Sequence, residues 1–213
     1  MGAFQEEPMS ETVQGKKNAQ GRSTDVLLLK ISGQRLTADQ LDRLRDALGA
    51  GPAQLAVEGY AAVDTAETYV YCRLAPDAVP DALSALQERV ALARPDAAVQ
   101  WLRRISDLPG ASRGRLAPWH YIVETDVLPQ AEQDMNDWYD REHLPGLAGV
   151  PGTVRAERFR CEESSPRYHA CYDLQTVETF GSPPWLAVRA TAWSDRVRPS
   201  FRNTKRTMFK AIV

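Results

Sequence analysis

The apolar spacing along this chain passes through one order of periods and then passes through it again. Asp25–Ile31 (DVLLLKI) is short and rich in branched side chains, which predicts a buried strand. Thr37-Ala38-Asp39-Gln40 then has the spacing of a capping box. Leu41, Leu44 and Leu48 continue it as one face of a helix that Gly49 and Gly51 stop. Gln54–Val63 and Thr68–Leu74 predict two strands joined through Asp64-Thr65-Ala66-Glu67. Asp77–Ala93 predicts a second helix with Leu83, Leu86, Val90 and Ala93 on its apolar stripe, and Ala98–Ile105 a fourth strand. The same order recurs, with little identity between the copies, at Trp119–Thr125, Pro129–His143, Thr153–Arg160, Arg167–Leu174, Ser182–Val197 and Lys205–Ile212.

Strand, helix, strand, strand, helix, strand is the order of a ferredoxin-like βαββαβ unit. Its sheet runs antiparallel in the order 4-1-3-2 and carries both helices on one face. The bare face needs a cover, and in a tandem chain a second sheet supplies it. The expected fold is therefore α+β: tandem ferredoxin-like βαββαβ units forming a (pseudo)dimeric α/β barrel, closed within one chain or between two. Residues 1–23, rich in Gln, Glu, Gly, Ser and Lys, read as a disordered leader. Residues 24–106 form the first unit, 107–118 an exposed linker, and 119–213 the second unit.

Composition narrows the partners. With 43% hydrophobic and 25% charged residues in 213, a core can be buried. Because 26 basic side chains meet 28 acidic ones, no global charge favours nucleic acid or an anionic membrane. No window approaches the roughly 18 apolar residues of a membrane span or contains the core of a secretory signal. Three cysteines, Cys72, Cys161 and Cys171, without CxxC spacing suit a reducing compartment, and Cys161 and Cys171 read as buried structural thiols. The expectation is a cytoplasmic protein, a homodimer, acting on a small-molecule substrate without nucleic acid, membrane or cofactor.

The densest polar segment is Asn136-Asp137-Trp138-Tyr139-Asp140-Arg141-Glu142-His143-Leu144-Pro145. On a helix, Asn136, Tyr139, Asp140 and His143 share one stripe that ends in an imidazole near the C-terminus, where the dipole favours the protonated ring. Asp140 could do the same or fix its tautomer, so His143 is a candidate acid or base. His143 could equally cap the last carbonyls before Pro145. Strand alternation adds a second set: His120 and Glu124 on one strand, His169 and Asp173 on its expected neighbour, all on the face away from the helices. There they are expected to line a cavity, with His120 near Asp173, Glu124 near His169, and His143 arriving at the same edge. Two buried ion pairs between strands are the alternative. No HxH or HExxH spacing supports a metal. Of the late cluster Arg189, Arg196, Arg198, Arg202, Arg206 and Lys205, one or two could clamp a substrate carboxylate, Arg196 and Arg202 foremost, though such charges commonly form a solvated face.

WHYIVETDVLPQAEQDMNDWYDREHLPGLAGVPGTVRAERFR, with the later SPPW and RVRPSFRN, resembles the EthD-like members of the dimeric α/β-barrel superfamily, in which a helix ending WYDxEHxP leads into VPG and a strand. The resemblance covers Trp119–Val213. It implies that His143 is the family's helix histidine, with Tyr139 and Asp140 in its motif, and that the first unit is a degenerate copy completing the barrel. The superfamily contains cofactor-free isomerases, cyclases, dehydratases, decarboxylases, monooxygenases and haem-handling proteins, so fold alone does not select an activity. The expected function is a cofactor-independent lyase or isomerase of a small aromatic or oxo-acid metabolite. His143 serves as acid/base, Asp140 orients it, Tyr139 and His120 hydrogen-bond the substrate, and Glu124, His169, Asp173, Asn136, Arg196 and Arg202 shape its site. A non-catalytic ligand-binding or assembly module, and an oxygen- or metal-using monooxygenase, are the alternatives.

Overall fold

The computed structural model describes residues 25–50, 55–75 and 80–213. The leader expected over 1–23, Gly51, Gln54, the start of the second helix at 77–79 and the side chain of Leu83 lie outside what it describes. Eight strands close a barrel: β1 (Asp25–Ser32), β2 (Leu55–Ala62), β3 (Glu67–Leu74), β4 (Ala98–Pro109), β5 (Trp119–Val127), β6 (Thr153–Arg160), β7 (Tyr168–Leu174) and β8 (Phe201–Ala211). Their order around the barrel is β1-β3-β2-β8-β5-β7-β6-β4. Each half keeps the 4-1-3-2 order, and the halves join where β2 meets β8 and β4 meets β6. Closure thus occurs within one chain, and no second copy is needed to complete the barrel.

Helix α1 (Ala38–Leu48) forms as its sequence dictates. The Thr37 hydroxyl accepts from the Gln40 N–H, the Gln40 side chain accepts from the Thr37 N–H, and Gly49 ends the helix in the left-handed region at φ 67°. Leu41, Leu44 and Leu48, with Leu86 and Val90 of α2 (Pro80–Ala93), bury against Leu27, Leu29, Ile31, Val57 and Val70 of the first sheet. Burying each such side chain stabilises the fold by about 1.5–3 kcal/mol. Alternation sends the intervening Val26 and Leu28 into the barrel. There they meet Tyr60, Tyr69, Tyr71, Leu102, Ile122, Phe159 and Phe209, so the interior is packed with side chains.

Corresponding places in the two halves carry opposite charges. Lys30 on β1 pairs with Tyr69 on β3, and Glu124 on β5 pairs with His169 on β7, at the same point of each register. Lys30 and Glu124 project from strands on opposite sides of the barrel and form an ion pair across its interior.

Three elements depart from expectation. β4 runs on to Pro109 through a register shift between Arg104 and Ser106. Gly110 then sits against β6 so closely that a Cβ would lie 2.1 Å from the Thr153 carbonyl oxygen, a position only glycine fills. β8 begins at Phe201 because its first residues pair with Asp126 and Val127 beyond a bulge. The last helix is two, α5 (Pro183–Arg189) and α6 (Ala192–Val197), divided where Thr191 turns extended and its hydroxyl accepts from the Ser194 N–H. Among the described residues, no helix is long and apolar enough to cross a membrane.

Candidate functional site

Helix α3 (Glu132–Trp138) does not stop before Pro145. It widens into a π turn over Tyr139–His143, in which the Leu144 N–H bonds the Tyr139 carbonyl, and continues as α4 (Leu144–Ala148). Proline inside a helix has no N–H and its ring crowds the carbonyl four residues back, and the wider turn relieves both conflicts. His143 is therefore not at a helix end, which corrects the expectation that a C-terminal dipole favours its protonated form. Its ring stacks on Trp138, centroids 4.1 Å apart, and is 7% exposed. Burial, joined by the positive charges of Arg198, Arg189 and Arg158, pushes its pKa down to about 3. At neutral pH the ring is a neutral imidazole, a proton acceptor.

His143 lines a cavity between the helical layer and the second sheet, with Tyr121 and Val123 of β5, Tyr172 of β7, Trp138, Tyr139, Trp185, Phe201 and the arginines 189, 198 and 206. Its volume is about 30 Å³, room for one water or one small polar group. Three buried polar atoms at its wall have no hydrogen-bond partner among the described residues: His143 Nδ1, Tyr172 Oη and Trp185 Nε1. Burial raises the pKa values of Tyr121, Tyr139 and Tyr172, so all three phenols keep their protons at neutral pH and can donate hydrogen bonds. In the first half the corresponding layer is filled by aliphatic side chains such as Leu27, Leu29 and Val70.

The strand set lies on the other face of the same sheet. As alternation and strand order imply, His120 stands opposite Asp173 and Glu124 opposite His169. His120 Nδ1 is 2.6 Å from Asp173 Oδ1, its Nε2 is 3.4 Å from the Tyr71 hydroxyl, and its ring stacks on Tyr60. Burial pulls the Asp173 pKa up, but the hydrogen bond and charge of His120, together with the charges of Arg73 and Arg155, hold the carboxyl below its usual value. Glu124, 1% exposed, accepts from Lys30 and from the Tyr69 hydroxyl; these cationic and donor contacts, with His169, overcome the burial that would raise its pKa. Instead of lining a hollow, the set is embedded in the packed interior, and Asp173 borders a cleft of about 400 Å³ beside Asp107, Arg113 and Arg155. His143 does not join His120 and Asp173. A residue on the helical layer reaches only the face carrying Tyr121 and Tyr172, and the sheet separates it from the opposite parity.

Other expected members also sit elsewhere. Asp140 meets Ser106 and Arg158, with no contact to His143, because Arg158 rises from β6 under the helix and draws in both Asp140 and the Asn136 side-chain oxygen, 2.9 Å from Nη2. The Arg158 guanidinium lies 4.0 Å from the Tyr139 ring centroid. Arg196 pairs with Asp134 at the surface, and Arg202 donates to the carbonyls of Pro199 and Phe201. Arg189, Arg198 and Arg206 stand at the cavity instead. For Arg206 the signal was in the sequence: it pairs with Val123, whose parity faces the helices. Cys72, Cys161 and Cys171 are buried free thiols, and burial pushes the Cys72 thiol up to about 12. Among the described residues, no group of His, Cys, Asp and Glu could hold a metal ion.

Two buried histidines make stability depend on pH. His169 is fully buried with Nδ1 3.7 Å from Glu124 Oε1, and burial pushes its pKa down to about 4, against the opposing pull of Glu124. Unfolded histidine titrates near 6.5, so between about 6.5 and these folded values the unfolded chain binds more protons, and stability falls as pH drops. Urea midpoints should decline from pH 7.5 to 4.5, and the His143→Gln/His169→Gln double variant should decline less steeply. An unchanged slope in the double variant would contradict the assignment.

No family model matches the sequence, and no curated protein matches it. Solved structures match over most of its length. A candidate monooxygenase from Fusobacterium nucleatum superposes with a TM-score of 0.63 at 10% identity, over 90% of this chain and 94% of that one. An anthrone oxidase-like protein gives 0.59 at 15% identity, over 91% and 93%. A mutant chlorite dismutase from Candidatus Nitrospira defluvii gives 0.58 at 9% identity, over 90% and 92%. At such identities the likeness is one of fold: the chain is an α/β barrel of the dimeric type, closed by two halves of one polypeptide, with a cavity under the helices of its second half.

Proposed function

We propose that this protein is a cofactor-independent lyase or isomerase that moves a proton on a small aromatic or oxo-acid substrate, with His143 as the acid/base. The observation that supports this reading is a neutral, buried imidazole whose Nδ1 has no partner, beside a cavity bordered by Tyr139, Tyr172 and Trp185. A neutral imidazole takes a proton from an acidic C–H or O–H of the bound molecule, and the phenols and the indole N–H stabilise the oxyanion that develops. The arginines that make His143 a weak base in the free protein stabilise that anion by the same field. The WYDREHLPGLAGVPG segment, which carries the EthD-like resemblance, supplies the histidine and its π turn.

A second reading shares this first step. The neighbours described as a monooxygenase and as anthrone oxidase-like suggest that the electron-rich anion formed at His143 then reacts with dioxygen. One experiment addresses both. The protein is incubated in D2O with a panel of 2-oxo acids and hydroxyaromatic acids, acidic C–H exchange is followed by NMR, and oxygen uptake by electrode. Exchange without oxygen uptake supports the isomerase or lyase, and exchange with uptake the oxygenase. A panel inert in both measurements, yet bound, would leave a binding module.

A further inference from the structure

Among the described residues no carboxylate bonds the cationic side of the cavity, and Asp195 acts on Arg198 through its field alone. Arg73, Arg155, Arg158, Arg167 and Arg196 all sit against carboxylates. Arg189 and Arg206 have no side-chain hydrogen bond or ion pair among the described residues, and Arg198 donates only to the Arg189 carbonyl oxygen, at 2.7 Å. Like charges crowd together here: burial first, then Arg189 and Arg206, push the Arg198 pKa down against the opposing pull of Asp195. Arg189 and Arg198 are half-buried and Arg206 is exposed, so they form the solvent side, while the unpartnered Tyr172 Oη, Trp185 Nε1 and His143 Nδ1 form the inner end. Tyr121, Trp138 and Phe201 add aromatic rings to the lining. Three guanidinium groups without a bonded carboxylate repel one another over the cavity, a bound anion relieves that repulsion, and guanidinium matches carboxylate geometry.

We propose that the cavity takes an aromatic carboxylic acid: its carboxylate is gripped by Arg189, Arg198 and Arg206, its ring lies among Tyr121, Trp138 and Phe201, and its hydroxyl or oxo group faces Tyr172, Trp185 and His143. This deepens the reading of the His143 cavity as the substrate site and rests on it. At about 30 Å³ the cavity holds one small group as it stands, so admitting the ring requires the arginine side chains to swing outward.

The test uses the full chain and its own fluorescence, because Trp138 and Trp185 line the cavity. Quenching is titrated with 2-hydroxybenzoate and with its neutral amide, which differ only in the charged group. The acid should bind about tenfold or more tighter than the amide, and Arg189→Gln and Arg206→Gln should each close most of that gap. Both residues are at least partly exposed, so their variants should fold, as circular dichroism would verify, even if Arg198→Gln does not. His143→Gln should keep the preference for the acid. Equal binding of acid and amide, a preference that survives in an Arg189→Gln/Arg206→Gln variant, or no quenching by the acid up to about 10 mM, a ceiling weaker than ordinary small-molecule affinity, would overturn the proposal. Acid binding without proton exchange would remove the catalytic reading alone, and exchange with no preference for the acid would remove this proposal alone.

Discussion

Glu124→Ala should cost about 3–5 kcal/mol of folding stability, the range for breaking a buried pair by removing one partner. Glu124 is the acceptor for Lys30 and for the Tyr69 hydroxyl at 2.7 Å, and it stands 3.7 Å from His169. The Lys30 side chain is only 14% exposed, so without the carboxylate an ammonium remains in the barrel with no countercharge. Tyr69 keeps only the Lys205 ammonium, at 3.2 Å, which donates to its oxygen and accepts nothing from it. Lys30→Met/Glu124→Leu, which removes both charges and keeps apolar volume, should lose much less and can be neutral. Urea unfolding of both variants beside the parent decides the matter. A single variant within about 1 kcal/mol of the parent, the range of a surface pair, would mean that water reaches this pair.

His143→Gln should lower kcat by about 10²- to 10⁴-fold on any substrate the panel reveals, the usual contribution of a positioned acid/base. Glutamine retains bulk and polarity beside Trp138 but accepts no proton, so a loss of this size reports chemistry rather than folding. His120→Gln is the informative companion, because His120 lies across the sheet from the cavity and touches Asp173, Tyr71 and Tyr60. It should change stability and leave kcat within a few-fold. In the free protein burial and the nearby arginines push the His143 pKa down to about 3, so kcat/KM should stay level from neutral pH well into acid while the fold survives. A limb near the ordinary histidine value of about 6.5 would place the essential group elsewhere. Equal losses in the two variants would sink the assignment of His143 as the reacting residue.

Much of the architecture was legible because periodicity is local and strand order follows from it. Parity on two seven-residue stretches was enough to pair His120 with Asp173 and Glu124 with His169. The capping box at Thr37 and the left-handed Gly49 read directly from residue type. The site was less legible, for two physical reasons. Pro145 signals a helix end by its missing N–H, yet a π turn absorbs the same defect, and nothing in local propensity chooses between them. The cavity's cations come from α5, the turn after α6, and β8, so no contiguous motif carries them. The conclusion that His143 shares a hollow with His120 failed on sidedness: helix-layer residues meet the sheet's outer parity, and the two imidazoles are on opposite parities.

The Lys30–Glu124 bridge fixes which molecule each half accepts as its mate. A pairing of two second halves would seat carboxylate against carboxylate at the middle of a dry cylinder, and two first halves would seat ammonium against ammonium. At an effective dielectric of about 20, like charges some 4 Å apart repel by roughly 4 kcal/mol, enough to make either symmetric assembly uncompetitive. Asymmetry at this one level makes each half the complement of the other and a misfit for its own copy, in keeping with closure inside one polypeptide.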